Sequence, residues 1–481
     1  MKILFVLKET TMYERMGVMY LSSALKSQGN KVKLVLAESM GIERLKDFVR
    51  SYSPEIIGYS AMTGEYNRLV EINKHLKNNH DFLAVFGGPH PTFYPKIIED
   101  EGCDAIFIGE GDITFPEFCR RIEQKENYWE TPGTIVKYAG QIIRNPLMPL
   151  VEDLDSLPFP DRALMYSADQ FLMEGSSKIF FSTRGCPSKC TYCFNEKYNE
   201  IFKGKGRILR HRSPENLVEE ISEVKKKYPL DIVYLLDDTF LYKPVDWFNK
   251  FKELYKENIN LPFSCNVRPN AVTEQNISLL KDVGLVSVNI GIECGNEDVA
   301  NTVLQRHISN SQIINACRIL QKYGIKISTL NIVGLPVKNS YQVDLETLDL
   351  NIKIKPTFAL ASILCPYPGT PIETYSRENG FIANNSVFLE TNKRASVLNF
   401  SSKMEKRRIE NLHKLFGIIV EFSFLRKFTT FLSSLPLTRV YTSLFYLWYG
   451  YNYKIRLFPF RSIRKELGSY LRFWWKMIQK N

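Results

Sequence analysis

The segment Lys178-Ile-Phe-Phe-Ser-Thr-Arg-Gly-Cys186-Pro-Ser-Lys-Cys190-Thr-Tyr-Cys193-Phe-Asn195 joins a short apolar run to a loop broken by Gly185 and Pro187. The run Ile179 to Ser182 predicts a buried strand, and the loop after it carries cysteines at the spacing C-x3-C-x2-C. Three thiolates within eight residues can converge on one soft metal centre. A zinc site usually closes with a fourth Cys or a His, and the next histidine, His211, lies eighteen residues on, past a Lys/Arg-rich loop. An iron–sulfur cluster with one open iron is the better chemical match, because the open position lets a substrate or cofactor bind the metal. The chain has nine cysteines, an odd number that points to thiols or metal ligands in a reducing compartment instead of disulfides.

Downstream, apolar runs alternate with helical patterns. Strand candidates are Ile232 to Leu236, Phe263 to Val267, Ser287 to Ile290, Lys326 to Ile332 and Phe358 to Leu364; helices are predicted over Pro214 to Lys227, Pro244 to Glu257, Glu274 to Val283, Ser309 to Tyr323 and Tyr341 to Ile352. Six βα units in so short a stretch predict a partial TIM-type barrel, (β/α)6, smaller than the eight-unit closed form. Upstream, the runs Lys2 to Leu7, Lys31 to Leu36, Ile56 to Ser60, Phe82 to Phe86 and Ala105 to Ile108 are likewise separated by helical stretches and predict a doubly wound, Rossmann-like parallel sheet. Its ligand rim would be the loops Lys8 to Met16, Ala61 to Gly64, Gly87 to Thr92 and Gly109 to Thr114, at the carboxyl ends of the strands. A predicted hairpin over Thr134 to Arg144, turning at Ala139-Gly140, leads into a connection rich in proline (146, 149, 158 and 160). The expected segmentation is therefore 1–135, a linker over 136–170, a barrel over 171–395 and a helical extension over 396–481.

With these features in place, the chain resembles the radical S-adenosylmethionine (SAM) superfamily, whose signature is this cysteine spacing with an aromatic residue, here Tyr192, before the third cysteine. The resemblance implies that Cys186, Cys190 and Cys193 bind a 4Fe-4S cluster whose open iron chelates SAM, which is then cleaved to methionine and a deoxyadenosyl radical. It also implies SAM contacts elsewhere. Glu293, in Val288-Asn-Ile-Gly-Ile-Glu293-Cys-Gly295, is the candidate for the SAM ribose, and Arg268 for its carboxylate, against the alternative of a structural salt bridge. The Gly-Gly-Glu often present on the second barrel strand is replaced by Leu235-Leu-Asp237-Asp238-Thr-Phe240, which makes Asp237 and Asp238 the candidates near the SAM amino group. Asn331-Ile-Val-Gly-Leu-Pro336 and Cys365-Pro-Tyr-Pro-Gly-Thr370 match later segments of the family.

The first domain resembles the cobalamin-binding branch of the same family through Gly87-Gly88-Pro-His-Pro-Thr92 and Ile108-Gly109-Glu110-Gly-Asp-Ile-Thr114. This implies a bound cobalamin contacted by Gly87, Gly88, Gly109 and Glu110, with Ser60 to Thr63 placed to meet the nucleotide tail. No D-x-H-x-x-G occurs and the loop Lys8 to Gly17 contains no histidine, so a cobalamin here would lack a histidine lower ligand. His90 is expected to be a hydrogen-bonded loop residue instead of a ligand. A domain that keeps the shape and has lost cobalamin is the alternative.

The charge of +11 is unevenly placed: residues 401–481 hold sixteen Lys/Arg, four Asp/Glu and eighteen aromatic residues, so the preceding 400 are nearly neutral. Ile409 to Phe424 has helical periodicity, while Leu471 to Lys480 mixes cations with Trp and Phe as an interfacial helix does. Three readings of this tail arise: a helical cap over the barrel, a segment drawn to anionic lipid, or a base-stacking nucleic-acid segment, the last disfavoured because the body shows no recognition module. Lys2 followed by Ile3 to Leu7, then Lys8 and Glu9, reads as a strand and not as a secretory signal, and no apolar stretch reaches membrane-spanning length. A cytoplasmic enzyme, with possible peripheral contact at the inner face of the membrane, is expected. Its partners would be a small-molecule or lipid substrate and an electron donor such as flavodoxin or ferredoxin, with no nucleic acid. The leading expectation is cobalamin-dependent methyl transfer to an unactivated carbon. The alternatives are a radical oxidoreductase or cyclase acting on a lipid or tetrapyrrole-like substrate, and a non-catalytic cobalamin or iron–sulfur sensor docking on membranes.

Overall fold

The computed structural model describes residues 1–10, 13–383 and 395–458. The chain falls into two compact units, Met1–Gly175 with Lys197–Arg212, and Ser176–Glu196 with Ser213–Asn481.

The first unit is built on seven strands: β1 (Lys2–Leu7), β2 (Lys31–Leu36), β3 (Ile56–Ser60), β4 (Leu83–Gly87), β5 (Ala105–Phe107), β6 (Thr134–Tyr138) and β7 (Gln141–Arg144). Their order is β2-β1-β3-β4-β5-β6-β7. The first five are parallel, as runs like Ile3 to Leu7 require: every residue of that run is buried, so both faces of the sheet are covered. The hairpin joins this sheet antiparallel through β5, and its turn is made by Ala139 (φ 49°) and Gly140 (φ 77°). The Pro-rich stretch is anchored to the Met16–Ser27 helix, where Asp161 N donates to Met19 O (3.0 Å) and Ser22 Oγ to Asp161 Oδ2 (2.6 Å). Strand order reverses between β1 and β3, and such a switch point is where doubly wound sheets open a crevice for ligands.

The parallel sheet of the second unit has six strands, Ser177–Phe180, Ile232–Leu235, Phe263–Val267, Leu285–Glu293, Lys326–Val333 and Phe358–Ile363. They lie side by side in chain order and all pair in parallel, the (β/α)6 progression predicted from the alternation. Helix starts are capped by the residues the sequence places there: Ser213 accepts from Asn216 N (3.1 Å) ahead of Pro214, and Thr273 and Ser309 form capping boxes. At the far end, a helix over Lys403–Glu421 packs on the last strand. It begins six residues earlier than the apolar periodicity from Ile409 suggested, because Ser402 caps Glu405 N (3.1 Å), and it ends before the 3-10 turn Ser423–Phe428. A further helix, Thr438–Tyr451, packs on it in turn. No helix among the described residues is long and apolar enough to cross a membrane. The interfacial pattern at Leu471 to Lys480 lies outside the described residues.

Candidate functional site

The cysteine loop leaves the first barrel strand at its carboxyl end, where catalytic residues collect in barrels of this kind. Its entry is fixed by Asp237. Ser182 N (2.7 Å) and Thr183 N (3.0 Å) donate to Asp237 Oδ1, while the Ser182 hydroxyl and Lys243 Nζ (3.2 Å) donate to Oδ2. The side chains of Lys243 and Asp237 are both fully buried, and the ammonium also sits 4.1 Å from the Phe240 ring centroid. Both carboxylate oxygens are thus used within the protein. Asp237, expected at the SAM amino group, instead positions the loop. Its neighbour Asp238 is exposed, and Asn195 donates a hydrogen bond to its carboxylate.

Cys186 and Cys190 are buried and Cys193 is partly so. Burial pushes the Cys193 thiol up to about 12, with Cys190 and Cys186 adding to the shift, so the three sulfurs share one neighbourhood. Among the described residues, no three His, Cys, Asp or Glu side chains are already gathered as an ion's ligand set. Hydrogen-bond donors nevertheless converge on the sulfurs: Arg268 Nη1 lies 3.2 Å and Arg306 Nη1 4.0 Å from Cys190 Sγ, and Asn195 Nδ2 lies 3.6 Å from Cys193 Sγ. The loop is also braced against the later part of the barrel, with Thr191 Oγ1 donating to Val303 O (2.7 Å) and Ile372 N to Thr191 O (3.1 Å).

Tyr192, Glu293 and Arg306 form one buried cluster. Arg306 Nη1 donates to the Tyr192 hydroxyl (3.1 Å) and stands 3.9 Å from Glu293 Oε1. Burial raises the Glu293 pKa, opposed by Arg306, by a hydrogen bond from Tyr192 and by Arg268. Glu293 itself adopts φ 68°, and Gln305 (φ 50°) and His307 (φ 52°) flank Arg306, so three residues that are not glycine hold left-handed backbone around this cluster. Sequence reasoning passed over Arg306, Lys243 and Asn195. Arg306 and Lys243 sit in no recognisable motif and only the fold brings them to the cysteine loop, whereas Asn195 stands two residues after Cys193, a closeness the sequence already offered. Arg268 is placed here too, its Nη1 against Cys190 Sγ and its Nη2 donating to Arg306 O (3.2 Å).

In the first unit, Ser60 ends β3 and Gly87 ends β4. Gly88 (φ 97°) runs so close to Ala61 that an added methyl would come within 3.1 Å of its carbonyl oxygen. His90 is buried, its ring 4.5 Å from that of Tyr66 and 5.7 Å from that of Tyr94, and its Nδ1 lies 3.3 Å from Thr63 Oγ1. Burial lowers its pKa to about 4. It lies in the short Pro89–Phe93 helix and not in a loop, with the Thr63 hydroxyl as its hydrogen-bond neighbour. Two other rim residues are turned to the protein. Gly109 (φ 82°) faces the Phe202 ring, which would lie 2.2 Å from an added Cβ, so its lack of a side chain serves packing. Glu110 accepts both guanidinium ends of buried Arg210 (2.9 and 2.8 Å) and Val151 N (3.0 Å), a bidentate pair in place of the expected cofactor contact. In the segments that follow β3, β4 and β5, Met62, Tyr94 and Ile113 are exposed apolar side chains.

The model of the radical SAM superfamily matches residues 180–345, and that of the B12 binding domain matches residues 6–119. This chain carries a radical SAM domain and a B12-binding domain. An uncharacterized methyltransferase of Pyrococcus horikoshii is 26% identical over 430 residues, covering 86% of this chain and 90% of that protein. Among solved structures, the radical SAM enzyme OxsB with aqua-cobalamin and SAM bound superposes with a TM-score of 0.70 at 17% identity, covering 100% of this chain and 79% of that one. The radical SAM methyltransferase TsrM of Kitasatospora setae, with cobalamin and a 4Fe-4S cluster bound, gives 0.65 at 16% identity, over 80% of this chain and 76% of that one. The radical SAM domain match spans the cysteine loop, Asp237, Asp238, Arg268, Glu293 and Arg306; the B12-binding match spans the rim from Ser60 to Glu110.

Proposed function

We propose that this chain is a cobalamin-dependent radical SAM methyltransferase that methylates an unactivated carbon of a small-molecule or lipid substrate. The observation that carries the reading is the occurrence, in one chain, of a B12-binding domain and a C-x3-C-x2-C loop at the carboxyl end of the first barrel strand. The residues suit the groups. Soft thiolates are the ligands an iron–sulfur cluster takes, and two buried guanidiniums, each with its Nε lacking a partner, stand ready to offset anionic charge at Cys190. The apolar rim of the first unit, free of histidine in the Lys8 to Gly17 loop, suits a cobalamin held without a histidine ligand.

When bound, the cluster would supply the electron that cleaves SAM and cobalamin the methyl group for transfer. The chain's own part is positioning. Asp237 and Lys243 hold the loop entry, and Arg268 and Arg306 neutralise charge at Cys190. Glu293, oriented by Tyr192 and Arg306, is the proposed acceptor for the SAM ribose, and Asp238 for its amino group. Ser60, Thr63, Gly87 and Gly88 are the proposed contacts on the rim of the first unit. The electron would come from a small reduced carrier such as flavodoxin or ferredoxin.

Anaerobic loading with iron, sulfide and cobalamin, followed by SAM and a reductant, tests the reading. Deoxyadenosine formed together with S-adenosylhomocysteine is the expected result. Deoxyadenosine alone would replace methyl transfer with a radical oxidation or cyclisation, and neither product would overturn both. Cys190→Ala is expected to lose iron–sulfur absorbance and SAM cleavage together, since two thiolates hold a cluster poorly.

A further inference from the structure

The Thr438–Tyr451 helix is apolar on two opposite faces. Its inner face carries Tyr441, Phe445, Tyr446 and Tyr449, all buried, with the Tyr449 ring 5.9 Å from that of Phe358 at the start of the last barrel strand. The other face shows Val440, Leu444, Leu447 and Tyr451 to solvent, at 52, 41, 43 and 43% exposure. Spacings of four, three and four residues place these side chains in one arc of about 60° at 100° per residue, so they form a stripe and not a scatter. The stripe continues off the helix through ring contacts: Tyr451 to Trp448 (5.9 Å), Trp448 to Phe422 (5.9 Å) and Phe422 to Phe424 (6.4 Å). Phe424 is 66% exposed, the most exposed large apolar side chain among the described residues. Apolar ground this continuous marks an interaction surface.

Charge decides what covers it. From Phe422 to Phe458 the sequence contains five cations, Arg426, Lys427, Arg439, Lys454 and Arg456, and no Asp or Glu. Arg426 is paired with Asp349 and Arg456 with Glu421; of the other three, Lys427, 5.0 Å from the Phe428 ring, and Arg439, next to Val440, are exposed. A second copy docking here by two-fold symmetry would set cation against cation. An anionic bilayer offers both an acyl layer for the rings and leucines and phosphates for the cations. The helix, fourteen residues long, would lie in the interface, since it is too short to cross it.

We propose that the outer face of the Thr438–Tyr451 helix, with Phe422 and Phe424, docks the protein on anionic lipid bilayers. The proposal is independent of which group the barrel transfers. The test is flotation of the full-length protein with vesicles of phosphatidylcholine alone or with a third of phosphatidylglycerol, comparing the wild type with Leu444→Glu/Leu447→Glu and with Lys427→Glu/Arg439→Glu. The wild type is expected to float with the anionic vesicles and at least about tenfold less with the neutral ones, and each double variant to lose at least about tenfold on the anionic vesicles. Both should keep the wild-type elution volume and far-ultraviolet spectrum, which separates a lost surface from a lost fold. No binding by the wild type, or undiminished binding by folded Leu444→Glu/Leu447→Glu, would overturn the proposal. So would a wild-type dimer that this variant splits, which would make the occupant a second copy.

Discussion

Asp237 and Lys243 meet with no solvent around either, so each holds a charge that only the other offsets. Removing one member of such a pair leaves a buried charge unmatched and costs about 3–5 kcal/mol. Asp237→Ala is therefore expected to lower stability by that amount in urea titration and to abolish iron loading, because Ser182 and Thr183 lose their acceptor. Adding Lys243→Met should recover more than half the stability without restoring the iron; a double variant no more stable than the single would refute the charge argument. His90 makes a second claim. Its folded pKa of about 4 lies below the unperturbed 6.5, so between these values the unfolded chain binds a proton that the folded chain refuses. Stability contributed by neutral His90 is complete above pH 6.5 and drains away as pH falls toward 4, by about 2 kcal/mol between pH 7.5 and 5.0. Urea midpoints of wild type and His90→Gln should converge at the lower pH by that amount. At this scale the sequence made the cysteines legible, because their spacing is local. The roles of Asp237, Gly109 and Glu110 were not legible, because what meets them, Ser182 with Thr183, Phe202 and Arg210, arrives from distant segments.

Elements were more legible than residues. Apolar runs located every strand of both sheets to within two residues at most ends, and the helical patterns located the starts of the barrel helices to within one residue. The Lys403–Glu421 helix packs on the barrel, as its apolar periodicity suggested, and Gly417 shows how closely. A methyl there would come within 2.6 Å of Ala359 O and 3.2 Å of Trp448 Nε1, so the helix lies against the last strand at a separation only glycine permits. A glycine inside a helix costs about 1 kcal/mol relative to alanine, and Gly417→Ala would recover that on an isolated helix. In the intact protein the clash with a strand carbonyl outweighs it, and we expect a net loss of about 1–3 kcal/mol. Hydrogen exchange should show the loss concentrated in Lys403–Glu421 and Phe358–Ile363. Stabilisation by this substitution would mean the close packing is absent in solution.

For the molecule as a whole, the +11 charge and the aromatic tail, with nucleic acid disfavoured, were readable only as two competing possibilities, a cap or a membrane segment. The fold shows why composition could not choose: the Thr438–Tyr451 helix has an inner apolar face against the barrel and an outer one open to solvent. The inner face makes a prediction distinct from vesicle binding. Lys326 Nζ donates to Arg456 O (2.5 Å), and Tyr449 packs on Phe358, so residues 438–458 cover the amino-terminal ends of the last two barrel strands. Burying each of those aromatic side chains is worth about 1.5–3 kcal/mol. A chain ending at Leu437 should therefore aggregate and hold little iron, whereas a chain ending at Phe458 should elute as the full-length protein does and load iron normally. The Leu444→Glu/Leu447→Glu variant changes only the outer face and should match the longer chain in both measurements. If the chain ending at Leu437 stayed monodisperse and loaded iron, the inner face would not be part of the barrel's core, and the whole tail would belong to the outer surface.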